Sequence, residues 1–142
     1  MKVGVVLAEL PGPTFDAAVS HLADVLRECQ LVLVGRGQGA EVDPELADLA
    51  AALLPDLEEL RDLLRRATVE RRDDRVRLEV DLAPADGALL AHVQVLLEQL
   101  RHVNRRGGLL ATPAPEVTEL LTWMWAEIAD QLHGRTARIP PP

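Results

Sequence analysis

RVRLEVDLAP, residues 75–84, is the stretch on which the fold turns. Val76, Leu78, Val80 and Leu82 fall on one face of an extended chain, and Arg75, Arg77, Glu79 and Asp81 on the other, because successive side chains of a strand point to opposite sides. A strand with one dry and one wet face belongs to an antiparallel ribbon or sheet that is solvated on one side. Pro84 closes it and a helical pattern follows. KVGVVLAEL (2–10) behaves the same way, with Val3, Val5 and Leu7 sharing a face before Pro11 and a second helical pattern.

The two helical patterns match. In TFDAAVSHLADVLREC (14–29), with Thr14 as the expected N-cap, Phe15, Val19, Leu22, Leu26 and Cys29 form an apolar stripe. Leu89, Val93, Leu96, Leu100 and Val103 repeat its spacings at an offset of 74 residues. A second pair of helices follows. DPELADLAAALLPDL (43–57) starts with Asp43 as N-cap and Pro44 at the first helical position, where proline is favoured. APEVTELLTWMWAEI (114–128) aligns with it at an offset of 71, Pro115 and Glu116 standing for Pro44 and Glu45. The expected fold is therefore α+β and helix-dominated, with tandem duplicated strand-helix-helix units, two short strands and four to five helices. It is expected as one domain over 1–134, with pseudo-repeats at 1–74 and 75–134 and a mobile tail at 135–142.

Two segments leave choices. QLVLVGRG (30–37) reads as the last turns of the first helix; as a buried strand it would instead make a small three-stranded α/β sandwich. Pro55 interrupts the stripe of Leu46, Leu49, Leu53, Leu57, Leu60 and Leu64, and is expected to kink or split that helix. RRDDR (71–75) reads as a solvated turn.

Composition narrows the function. The 142 residues are 48% hydrophobic and 27% charged, enough for a core without disulfides or metal. No apolar run reaches the roughly 18 residues of a membrane span, and the single Cys29 fits a reducing cytoplasm. Arginine supplies all but one of the 15 basic residues, the usage of a GC-rich bacterial coding sequence. A net charge of −8 disfavours a protein built to grip phosphate backbones. The half before Arg75 carries −7 (8 bases, 15 acids) and the half from Arg75 onward −1 (7 bases, 8 acids).

No set of residues has catalytic spacing. His21, His92, His102 and His133 lack paired metal spacing, and Glu98 and His102, four apart on one helix, read as a surface pair. Ser20 and His21 are adjacent, so they diverge on a helix. GRGQGA (35–40) has the letters of a dinucleotide loop, but Glu41, Val42 and Asp43 separate it from the next helix start, so it reads as an inter-helix loop. Cys29 reads as a core residue. No cofactor and no metal are expected.

The two tryptophans are the unusual feature. With Met124 at the centre of the apolar stripe, Trp125 falls at its edge, about 100° round the helix, and Trp123 about 100° the other way. Trp123 then shares a face with Glu119, Glu127 and Asp130. Tryptophan is enriched at interfaces, so Trp123, Glu119, Glu127, Asp130 and Trp125 are the expected partner-binding residues.

The order of strand, proline, helix and helix in KVGVVLAELP and RVRLEVDLAP resembles the ribbon-helix-helix family of DNA-binding regulators. That resemblance implies a paired ribbon with Arg75, Arg77 and Glu79 as base readers. The first strand departs from the pattern, offering only Lys2, Gly4, Val6 and Ala8 on its outward side, and both units are longer than that family's. The function expected first is a non-catalytic protein-interaction or regulatory module in the cytoplasm, a homodimer or adaptor whose partner is another protein or a second copy, with no membrane and no nucleic acid. The alternatives are a small-molecule-sensing regulatory domain, with a ligand between the repeats, and a tandem ribbon-helix-helix-like DNA-binding regulator.

Overall fold

The two alternating stretches do form strands, and they pair with each other. The computed structural model describes residues 1–104 and 113–140. Their elements run β1 (Val3–Pro11), α1 (Gly12–Gly37), α2 (Pro44–Arg66), β2 (Thr68–Arg72), β3 (Arg75–Leu82), α3 (Pro84–Asn104) and α4 (Pro115–Leu132). The class is helix-dominated α+β. The sheet order is β1-β3-β2, antiparallel throughout.

Register follows the apolar alternation. Val5 stands opposite Val80 and Leu7 opposite Leu78. Strict alternation would next turn residue 9 inward, and residue 9 is a glutamate. A bulge between Leu7 and Leu10 inserts one residue, with Glu9 at φ 56°. Leu10 is thereby returned to the inner face opposite Val76, fully buried, and Glu9 is left exposed.

The four helices pack in a ring. α1 lies against α2, α2 against α3, α3 against α4 and α4 against α1, with the inner face of the sheet on the same core. α1 runs unbroken through Leu31–Val34 to Gly37, so the helix expected at 30–37 forms and the buried-strand alternative does not. Asp43 caps α2 by accepting from the Glu45 N–H at 3.0 Å, with Pro44 next.

Several expectations are corrected. The third strand, β2, was not anticipated: TVERR has a single β-branched apolar residue and no dry face, and it is extended because it pairs with the free edge of β3. The turn shrinks to Asp73 and Asp74, with Asp73 at φ 56°. Thr14 is not the N-cap of α1; the helix begins at Gly12, two residues earlier, with Pro11 at the cap and no side-chain bond. The Gly12 N–H donates to the Asp74 carbonyl at 2.7 Å instead. Pro55 does not split α2, which is continuous over Pro44–Arg66. Its ring faces solvent while Leu53 and Leu57 on either side are buried and hold the axis.

The duplication is not established. The order strand, helix, helix recurs, but the elements differ in length, α1 having 26 residues and α3 21. The stripes also differ in burial: Val19 is 38% exposed and its partner in the alignment, Val93, is 0% exposed.

After α4 the chain turns back. The Arg138 N–H donates to Glu127 Oε1 at 2.9 Å and its Nε to Oε2 at 3.0 Å, and Pro140 is buried. The segment expected as a mobile tail is thus fastened at Arg138.

Candidate functional site

Three helical stripes open onto a cleft of about 540 Å³. α4 makes its back wall with Thr118, Leu121, Thr122 and Trp125, which share a face because they are spaced three and four apart. α3 contributes Gln94, Leu97, Glu98 and Arg101 by the same spacing, and α1 contributes His21 and Val25. The floor is apolar, made of Val25, Leu97, Leu100, Leu121 and the accessible edge of Trp125, which is 8% exposed. Polar groups reach the rim from all three helices.

The charges in the cleft are balanced. Arg101 Nη2 lies 2.8 Å from Glu98 Oε2, one turn away on α3. His21 is held below its ordinary range first by burial, partly offset by Asp24, and Arg101 lowers it further across the cleft. It is therefore neutral at pH 7. Among the described residues neither ring nitrogen has a hydrogen-bond partner. The cleft thus offers one neutral imidazole, one guanidinium whose partner carboxylate is largely exposed, two hydroxyls and two carboxamides around an indole edge.

The expected partner-binding residues do not form one surface. Glu119 is exposed. Trp123 is half-buried and packs on the core, and Trp125 is buried on the cleft side. Glu127, expected on an acidic face, is fully buried. It accepts from Arg138 and, at 3.1 Å, from Gln131 Nε2. Burial alone pushes its carboxyl up, but those bonds and the Arg138 charge hold it below the ordinary value. Asp130 is engaged by Arg138 and by Arg135 at 2.9 Å. The sequence places these acids on one helix face correctly; what it does not reveal is that residues 135–140 return to cover that face.

Gln131 closes the edge of the sheet. Its Oε1 accepts from the Val6 N–H at 2.9 Å and its Nε2 donates to the Val6 carbonyl at 2.7 Å. One carboxamide thus takes the place of a neighbouring strand. Arg75, Arg77 and Glu79, the base readers implied by the resemblance, do lie on the outer face of the sheet. Arg77 bonds Glu79 at 2.8 Å and Arg75 lies 4.0 Å from Asp74, so these cations face anions of their own chain.

The remaining candidates resolve into structural roles. Glu98 pairs with Arg101 rather than His102. His92 Nδ1 meets Asp56 Oδ2 at 2.5 Å, joining α3 to α2. GRGQGA ends α1 and turns through Gly39 at φ 82° toward α2, an inter-helix loop as expected. Cys29 is buried and its thiol is pushed up to about 11, by burial first and Glu28 second. Among the described residues no three His, Cys, Asp or Glu side chains converge on a metal-sized site, and no described helix is long and apolar enough to cross a membrane.

Known proteins offer no match. Neither a family model, nor a curated protein, nor a solved structure matches this chain.

Sequence reading missed His21, Arg101, Gln94, Thr118 and Thr122 as a group. A weak signal was present: each shares a helix face with core residues three or four positions away, so each sits at a stripe boundary. Which three boundaries meet is set by the ring order of the helices, which a single sequence does not state.

Proposed function

We propose that the protein is a non-catalytic regulatory module that binds a small molecule in the cleft between α1, α3 and α4. The observation that carries this reading is the cleft's composition, an apolar floor ending in the Trp125 edge beneath polar groups from three helices. Its volume of about 540 Å³ lies within the 300–1,000 Å³ typical of ligand sites. Ligand bound there touches three helices at once, so occupancy stabilises their mutual packing. The test is a thermal-shift screen of a metabolite set against wild type and Thr122→Phe, which fills the cleft from an exposed position. A ligand that raises the wild-type melting temperature by several degrees and leaves Thr122→Phe unmoved supports the reading. The same shift in both proteins, or none with any compound, argues against it.

A second reading, association with another protein or a second copy, is favoured by one observation. Leu31 and Val34, 57% and 56% exposed, leave apolar surface on the last turns of α1. Light scattering of wild type beside Leu31→Asp with Val34→Asp tests self-association: a larger species in wild type that becomes monomeric in the variant supports it, and identical monomers refute the second-copy form.

A further inference from the structure

We infer that the ligand of this cleft is an amphiphilic carboxylate, an apolar chain or ring carrying one carboxylate that exchanges with Glu98 on the Arg101 guanidinium. The inference rests on the cleft being a binding site, as proposed above. Its support is the asymmetry of the Glu98–Arg101 pair. Glu98 is 65% exposed and Arg101 34%, so the carboxylate stands in solvent while the guanidinium is set into the cleft wall. An exposed pair of this kind contributes little stability, and Glu98 can swing out at small cost.

A carboxylate entering from the cleft side meets Arg101 with the fork geometry that guanidinium offers to two oxygens. It takes over an existing charge pairing, so no unpaired charge is buried, and the acidity of the whole chain opposes it only weakly through solvent. His21, neutral and without a partner among the described residues, offers a ring nitrogen from α1, and Thr118 and Thr122 offer hydroxyls from α4. The ligand's apolar body lies along Leu97, Leu121 and the Trp125 edge. A neutral ligand of the same shape keeps that burial and offers Arg101 only an uncharged acceptor, a weaker bond than a carboxylate makes. A cation would meet Arg101 with the wrong sign.

Calorimetric titration of the intact protein with octanoate, decanoate, 2-naphthoate and indole-3-acetate, each beside its primary amide, tests this. At least one acid is expected to bind about tenfold or more tightly than its amide, the factor that a charge-assisted hydrogen bond supplies. Arg101→Gln is expected to erase the difference. Glu98→Gln is expected to tighten the acid several-fold by removing its competitor, a gain that a merely structural role for Glu98 does not produce. Equal binding of acid and amide, or a preference that survives Arg101→Gln, overturns the carboxylate assignment and leaves the cleft reading intact. Failure of every acid and amide to bind at about 1 mM overturns the carboxylate assignment as well, while the cleft reading stands or falls by the thermal-shift screen.

Discussion

Removing the Arg138 side chain probes the polar cluster around the buried carboxylate of Glu127. Glu127 is fully buried, with donors from the Arg138 backbone at 2.9 Å, the Arg138 Nε at 3.0 Å and Gln131 at 3.1 Å. Arg138→Ala keeps the first and third, deletes the charged second, and also removes the guanidinium contact to Asp130. Breaking a wholly buried ion pair costs about 3–5 kcal/mol, but here the Arg138 side chain is 60% exposed, so its own desolvation was never complete. The relevant figure is the loss of the charge-assisted hydrogen bond to Glu127, about 1.5–3 kcal/mol, the more exposed pair with Asp130 adding little. At roughly 3 °C per kcal/mol for a domain of this length, the melting temperature should fall by about 5–9 °C. The loss should also depend on pH. In wild type the bonds to Glu127 outweigh burial and lower its pKa below 4.5. It therefore contributes stability above that value, and this is lost as pH falls through the folded pKa. Without the guanidinium its bond and its charge no longer hold the carboxyl down, so the carboxyl rises relative to wild type and the difference between the two proteins should shrink as both approach pH ~4. Urea denaturation at pH 7 and at about pH 4 reads both quantities. Arg135→Ala, which breaks only a more exposed pair with Asp130, is the control and should change stability by less than about 0.5 kcal/mol. A loss at pH 7 equal to that control, or one independent of pH, would refute the account of Glu127.

Other consequences are open to measurement. Gly12→Ala places a Cβ 2.7 Å from the Asp74 carbonyl oxygen, a backbone atom with little room to yield, and should cost about 1–3 kcal/mol in a denaturation series; a neutral effect would contradict the close approach of α1 to the β2–β3 turn. Burial lowers the pKa of His21 in the fold, so the unfolded chain takes up its proton first. Stability should then fall as pH drops below about 6.5 toward the folded pKa, and His21→Gln should lose that part of the slope; identical pH profiles would count against it. Cys29, with its thiol pushed up to about 11, should react with an alkylating reagent at pH ~8 about a hundredfold more slowly than in the urea-unfolded chain, and equal rates would show that it is not sequestered.

What could be read beforehand divides along a physical line. Local periodicity settled β1, β3 and the proline-led start of α2, since each depends on neighbours within a few residues, whereas at Leu31–Val34 it allowed both helix and buried strand. β2 was missed because TVERR becomes a strand only by borrowing an edge from β3. Glu127 was read as belonging to a wet face because its partner Arg138 lies 11 residues away, and Gln131 drew no notice because its partner, the Val6 peptide, lies 125 residues away. Trp123 was expected to need cover from outside its own helix, and within the chain it is already half-buried. The cleft was invisible for the same reason as β2: His21, Arg101 and Trp125 are ordinary boundary positions until the ring of helices brings three boundaries together.

The Gln131 clasp on Val6 also bears on how copies of the chain can assemble. A sheet with two open edges can accept a strand on each side, and pairing between copies then runs on without limit. Here the β1 edge is occupied at its middle by a side chain of the same molecule, and β2 is the other boundary of the sheet. Interrupting the β1 edge at Val6 disfavours strand pairing there and leaves β2 as the more open edge, where β2 against β2 would be an isologous contact about a two-fold axis. Such a contact would use the β2 edge of each copy and stop at two, and replacing Gln131 would expose the Val6 peptide as a second place where a strand could add.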